Sequence, residues 1–276
     1  MDDMNQSDII TVQNENDDYF EDEEIQKIMV GTSSIIGHRK MQQDTIFGQF
    51  DENGGIGIVC DGMGGLEGGE KASALAARTL AEDYFNSVPI SNVPAFFRRE
   101  GQKIDGIVSR LTDERGNDMD AGTTMVAAII QDDILHFLSI GDSRIFFIRN
   151  DAIQPLNELH NYRLTMDRML KEGSMSMAEY KKKGKQAEAL ISFLGMGDMA
   201  LMDIKTIQLK DQDRILLCSD GLYRALSEKV ILEVLNYHKF DMQMAAQALT
   251  DEASRRSKRG QDNTSVVLIQ YNNLSF

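Results

Sequence analysis

Short runs rich in Ile, Val, Phe and Thr recur along the chain at 28–35, 44–50, 56–60, 123–131, 134–140, 144–149, 200–209, 213–218 and 264–271. Turn-forming stretches such as Asp51-Glu52-Asn53-Gly54-Gly55 and Gln131-Asp132-Asp133 separate them. Runs of this kind predict strands in a mainly antiparallel sheet system. Helical periodicity predicts helices over 67–86, 93–112, 176–190, 227–237 and 241–257. In the first, Ala72, Leu75, Ala76, Thr79 and Leu80 fall on one face, and Ser227 before Glu228 and Val230 reads as the N-cap of a later one. Helices with one apolar stripe need a sheet to cover. An α+β chain folded as an α-β-β-α sandwich, two mainly antiparallel sheets flanked by helices, satisfies that layer logic.

Two of the apolar runs end in Asp-Gly, Gly57-Ile58-Val59-Cys60-Asp61-Gly62 and Ile215-Leu216-Leu217-Cys218-Ser219-Asp220-Gly221. Either dipeptide alone reads as a turn. Carboxylates at the ends of buried strands also hold hard divalent cations, because unpaired anionic oxygens beside a dry core are strongly penalised. Asp61 stands in Asp61-Gly62-Met63-Gly64-Gly65 ahead of a helical run, Asp142 in Gly141-Asp142-Ser143-Arg144 between two strands, and Asp262 in Gly260-Gln261-Asp262-Asn263 just ahead of the last strand. Four carboxylates in these positions point to a metal site. A turn aspartate paired with Arg144 remains the alternative for Asp142.

With Arg39 to Asp44, Asp61 to Glu70, Gly122-Thr123-Thr124, Gly141 to Arg144, Ser219-Asp220-Gly221 and Gln261-Asp262-Asn263 in this order, the chain from about 28 to 270 resembles the PP2C (PPM) family of metal-dependent protein serine/threonine phosphatases in its bacterial form. The resemblance implies the same sandwich fold and hydrolysis of phosphoserine and phosphothreonine without a covalent intermediate. A phosphomonoester dianion repels nucleophiles, and two adjacent divalent cations bridged by a water or hydroxide overcome this. By resemblance, Asp61 bridges the two ions, the Gly62 carbonyl completes the second site, Asp220 and Asp262 hold the first, and Asp142 binds a third, weaker ion. Asp44 matches the second member of the family's acidic pair and Arg39 the phosphate-binding arginine, with a surface salt bridge as the alternative for Arg39; the Asn263 amide reads as orienting Asp262 or a metal-bound water, or as part of an Asx-type turn. A shell of carboxylates, carbonyl and water suits Mn²⁺ or Mg²⁺ better than zinc. The four histidines, His38, His136, His160 and His238, show no zinc-type pairing.

The chain also departs from the family pattern. Gln43 stands where a glutamate is usual, which removes a negative charge near the second ion and predicts weaker binding there. Met63 replaces the histidine of eukaryotic relatives, leaving water to protonate the leaving group. Segment 158–198 corresponds to the variable flap beside the site, with Arg168 for a common histidine and Ser192 for a usual arginine. Its Lys181-Lys182-Lys183-Gly184-Lys185 run reads as a solvated helix face or a surface for acidic substrates. The methionines read mostly as core filling.

Composition adds boundaries. The chain of 276 residues is 42% hydrophobic, enough for one large core, and carries a net charge of −15. Residues 1–26 hold ten acidic residues and no Lys or Arg. This predicts a disordered acidic tail ahead of a phosphatase domain over 27–276. The charge speaks against nucleic acid as a partner, and no apolar run reaches membrane-spanning length. Cys60 and Cys218 lie in apolar strands and read as reduced core thiols of a cytoplasmic protein. Phosphorylated proteins and, by family analogy, a cognate serine/threonine kinase are the expected partners. Two competing readings stand beside this one. Cys218 to Arg224 fits the C-x5-R spacing of cysteine-dependent phosphatases, although Asp220 would put a negative charge inside the phosphate cradle. A catalytically weak PP2C-like regulatory or binding module is the other, motivated by Gln43 and the unusual flap.

Overall fold

The computed structural model describes residues 26–65, 67–199, 201–257 and 260–273. The expected acidic tail, apart from Gln26, lies outside the described residues. One antiparallel sheet has the order β1 (Ile28–Ile35), β11 (Thr264–Tyr271), β10 (Asp213–Cys218), β7 (Arg144–Arg149) and β8 (Ala152–Pro155). The other runs β2 (Asp44–Asp51), β3 (Gly54–Gly64), β5 (Met125–Gln131), β6 (Ile134–Ile140) and β9 (Asp203–Gln208), with the short β4 (Ala121–Thr123) paired to the end of β3. Between the sheets lie side chains from alternate positions, including Val59, Val126, Phe137, Phe147, Ile215, Leu217, Val267 and Ile269. Helices α1 (Gly68–Phe85) and α2 (Val93–Val108) cover the outer face of the second sheet, and α6 (Glu228–Tyr237) and α7 (Met242–Arg256) that of the first. The four-layer sandwich expected from the pattern is therefore present.

Alternation explains the separate cores. Val59 faces the sheet interface while its neighbours Ile58 and Cys60 face α1 and α2. Cys218, on the other sheet, points toward the α6–α7 layer, so the two thiols lie on opposite sides of the molecule and both are free.

Several predicted elements shift. The buried stripe of α1 runs through Ala72, Ser73, Ala76, Ala77, Leu80, Ala81 and Tyr84, so Leu75 and Thr79 sit on its flank. Small residues let the helix lie close on the sheet, and they decide the rotation rather than the larger Leu75. The predicted helix 176–190 shortens to α4 (Met177–Lys182) and a 3-10 turn at Gly184–Gln186. It buries no residue, and its adjacent lysines and Gly184 give it little reason to continue. Ser227 stands at the N-cap of α6, but its side chain makes no capping bond. Four elements were not predicted: β4, of which the run 123–131 touches only Thr123, β8, α3 (Tyr162–Lys171) and α5 (Asp220–Ala225). β8 and α5 are too short to show a period.

Glycine matters most at two contacts. A Cβ on Gly31 of β1 would lie 1.9 Å from the Met242 carbonyl oxygen, so bare backbone lets the start of α7 rest on that strand. A Cβ on Gly62 would lie 2.1 Å from the Gly69 carbonyl oxygen and 2.6 Å from that of Gln43. The end of β3, the start of α1 and the entry to β2 thus meet backbone to backbone, which places Asp61 beside Asp44.

Candidate metal centre

The β2–β3 register pairs Asp44 directly with Asp61. Asp61 is fixed from its backbone: its N–H donates to Thr124 Oγ1 at 3.0 Å, and its carbonyl accepts from Thr123 Oγ1 at 3.0 Å and the Thr124 N–H at 2.9 Å. Thr124 Oγ1 in turn bonds Ser143 Oγ at 2.7 Å, joining β3 to the β6–β7 turn that carries Asp142. The two threonines of the Gly122-Thr123-Thr124 motif therefore hold the aspartate in place.

The other sheet contributes from the ends of β10 and β11. Ser219 Oγ donates to Asp44 Oδ2 at 2.8 Å, bridging the sheets, and Asp220 opens α5 immediately after. Asp262 precedes β11 and receives the Asn263 N–H at 2.9 Å. The Asn263 side chain does something else: its amide donates to the carbonyls of Ile36 and Met41 at 2.9 and 3.0 Å, and its oxygen accepts the Gln43 N–H at 2.9 Å. It pins the loop 36–43, so it positions Arg39 rather than turning its amide on the Asp262 carboxylate. The Arg39 guanidinium reaches Asp262 Oδ2 at 2.6 Å and remains largely exposed.

Gln43 offers its carbonyl to the Gly62 N–H at 3.0 Å and the Ser73 hydroxyl at 2.6 Å. Its side-chain amide lies over Gly69, where an added Cβ would come within 2.6 Å of Nε2. Asp142 does not pair with Arg144, contrary to the turn reading. Its carboxylate faces Arg224 at 3.4 Å, its carbonyl accepts the Tyr223 hydroxyl at 2.8 Å, and Arg144 stacks on the Tyr223 ring.

Among the described residues no three His, Cys, Asp or Glu side chains close on one point as a ready-made ion cage. The predicted carboxylates nevertheless sense one another. Desolvation, then the charges of Asp44, Asp220, Asp142 and Asp262, push Asp61 well above the ordinary carboxylate range. Burial raises Asp44 to about 6, with Asp220 and Asp262 adding to the shift and hydrogen bonds from Ser219 and Ser265 opposing it. Burial and Asp220 raise Asp142 to about 6 against the pull of Arg224. Asp44 Oδ1 is buried with no hydrogen-bond partner. A desolvated carboxylate oxygen left without a donor, beside other raised carboxyls, fits a hard cation with oxygen ligands.

The consequence for pH has a definite sign. Asp44 and Asp142 titrate near 6 when folded and near the usual ~4 when unfolded, so the folded chain holds extra protons in between. Their contribution to stability is full below about 4 and lost as pH rises through about 6, roughly 3 kcal/mol for each group. Urea unfolding of chelator-treated protein from pH 4 to 7 checks this. Asp61 and Asp220, raised by burial as well, add to the same decline, so Asp44→Asn is expected to remove part of it, and an unchanged slope would contradict the assignment.

The family described as Protein phosphatase 2C matches residues 30–258. The chain belongs to that family. A "Serine/threonine phosphatase stp" of Listeria welshimeri is 27% identical over 240 residues, covering 86% of this chain and 92% of that protein. Among solved structures, the PPM Ser-Thr phosphatase MsPP from Mycobacterium smegmatis in complex with cacodylate aligns with a TM-score of 0.68 at 27% identity, covering 88% of this chain and 98% of that one. The catalytic domain of the phosphatase PstP in complex with two manganese ions aligns with a TM-score of 0.71 at 23% identity, covering 89% and 99%.

In this protein phosphatase 2C chain the segment 158–198, expected to form the flap, has a small core of its own, Met166, Met175 and Ala187 with Tyr162, Met169 and Tyr180 against it. Met166 and Met175 are core filling as expected, whereas Met177 is exposed. Ser192 exchanges hydrogen bonds with the backbone of Leu201. Lys183 reaches the Tyr162 hydroxyl, so only part of the lysine run is a free face.

Sequence reasoning missed three polar residues that hold this region. Asp105 of α2 is buried and accepts the N–H groups of Gly195, Gly197 and Met199 at 2.8, 3.2 and 3.2 Å, anchoring the flap's exit. His160, also buried, accepts the Gly141 N–H at 3.2 Å and so supports the Asp142 turn. Arg224 joins Asp220, Asp142 and Glu188. Only Arg224 carried a signal, its i+4 spacing from Asp220, which becomes legible once α5 is known to be a helix.

The C-x5-R reading fails on geometry. Cys218 is fully buried in the α6–α7 core, and burial raises its thiol far from the thiolate that such chemistry needs. Arg224 turns to Asp220 and Asp142 instead.

Proposed function

We propose that the chain is a metal-dependent protein phosphatase that hydrolyses phosphoserine and phosphothreonine, with Mn²⁺ or Mg²⁺ as its cofactor. The observation that carries the reading is the buried, unpartnered Asp44 Oδ1 amid the raised carboxyls of Asp61, Asp142 and Asp220. Asp61 with the Gly62 carbonyl, and Asp220 with Asp262, would hold the ions, with Asp44 behind them. When bound, a pair of divalent cations neutralises phosphate charge and supplies a hydroxide near neutral pH for direct attack.

The chain's own residues do the rest. Thr123 and Thr124 keep the Asp61 backbone from shifting, and Ser219 keeps Asp44 aligned across the sheets. Arg39, on the exposed rim, can swing its planar fork from Asp262 to two phosphate oxygens. No protein acid stands ready where Met63 lies, which leaves proton delivery to the leaving group to water. Two buried thiols without a disulfide suit a reducing cytoplasm. Among the described residues no helix is long and apolar enough to cross a membrane. Phosphoproteins, with the kinase that modifies them, are the natural partners.

The test is hydrolysis of p-nitrophenyl phosphate and of a phosphothreonine peptide. EDTA is expected to abolish turnover, Mn²⁺ to restore it, and Cys218→Ser to retain it. Activity insensitive to EDTA would end this reading, and Mn²⁺-loaded protein no faster than buffer would leave the catalytically weak regulatory module in its place.

A further inference from the structure

The guanidinium of Arg224 contacts three carboxylates from three separate segments. Its Nη1 lies 3.0 Å from Asp220 Oδ2 on α5, and its Nη2 lies 3.4 Å from Asp142 Oδ2 in the β6–β7 turn and 3.8 Å from Glu188 Oε2 in the flap. Asp142 and Asp220 are only 5% and 9% exposed, so water screens their negative charges poorly and a nearby cation offsets them. The side chain leaves α5 one turn beyond Asp220, and the neighbouring Tyr223 hydroxyl holds the Asp142 carbonyl at 2.8 Å. Backbone geometry thus keeps both aspartates within reach of one guanidinium.

We infer that Arg224 is a cation built into the centre, filling the corner between Asp142 and Asp220 so that no third divalent ion binds there. The inference rests on the metal-dependent reading above and replaces the third ion that the sequence assigned to Asp142. A divalent ion needs carboxylate oxygens at roughly 2.1–2.5 Å and a site free of like charge. A planar guanidinium spanning the same two carboxylates occupies that space with fixed positive charge. Glu188, which also pairs with Arg163, closes the corner from the flap side.

Counting bound Mn²⁺ by equilibrium dialysis and isothermal calorimetry on the full chain tests this without reference to activity. The wild-type chain is expected to bind two ions, Arg224→Gln three, and the Arg224→Gln, Asp142→Asn double variant two again. Asp142→Asn alone, which keeps Arg224, is expected to leave the count at two and remains informative if Arg224→Gln folds poorly. A third ion in the wild type that Asp142→Asn removes would overturn the inference, as would an Arg224→Gln chain that still binds two. A wild-type chain that binds no Mn²⁺ would instead refute the phosphatase reading beneath it.

Discussion

Asp61→Asn is expected to lower the turnover of a phosphate ester at saturating Mn²⁺ by roughly 10³-fold, the scale seen when one electrostatic contact to a transition state is removed. The same substitution is expected to stabilise the chain in EDTA. Asp61 is desolvated and faces Asp44 across the β2–β3 register, with the charges of Asp220, Asp142 and Asp262 close by. Asparagine has the same shape without the charge, so it relieves that repulsion while leaving the backbone bonds to Thr123 and Thr124 untouched. Opposite signs in the two assays mark a group kept for function at a cost to the fold. Steady-state kinetics and urea midpoints in chelator measure the two effects. Equal rates for the two proteins would remove Asp61 from the mechanism, and a lower midpoint for the variant would show that its charge is well compensated without an ion.

Gly62→Ala is expected to be among the most damaging single methyl groups that can be added, costing about 3 kcal/mol, the upper part of the usual overpacking range. The new carbon would lie 2.1 Å from the Gly69 carbonyl oxygen, and the three nearest atoms, all under 3 Å, are backbone, which has no flexible end to move aside. Relief requires α1 to lift from β3, and Asp61 and Asp44 would move apart with it. Thermal melts should fall by several degrees and Mn²⁺ affinity should drop in parallel. Gly65→Ala is the matched control, since a Cβ there meets nothing within 4 Å and should melt as the wild type does. Similar losses for both would show that chain flexibility rather than space sets the requirement.

Much of the architecture was legible because strands and helices write their period into the chain. β1, β6, β7, β10 and β11 fall where the apolar runs predict, since each has a face or both faces in a core. The flap was less legible. α3 and α4 contribute only Met166 to the buried set, so no strong period marks them. Asp105 shows the limit most clearly: its role depends on three N–H groups some ninety residues away, and nothing near it in the chain announces them.

The candidate site divides in the same way. Asp61, Asp220 and Asp262 could be named from the chain because an aspartate at the end of an apolar strand is a local feature. Asn263 could be named as well, but that its side chain pins the Arg39 loop depends on carbonyls of Ile36 and Met41 reached only after folding. Arg224 could be read at first only as part of a cysteine motif. Its place between Asp142, Asp220 and Glu188 requires α5, the β6–β7 turn and the flap to be packed together.

The sequence by itself therefore determined the layers, most of the strands and the acidic residues near their ends, because periodicity and local composition act over a few residues; it ended the strand before Asp61 at residue 60, whereas β3 runs on to Gly64. Only the tertiary structure decided which charges face one another and which cation answers each, because electrostatic partners are chosen by distance in space, and the chain brings them together from remote positions.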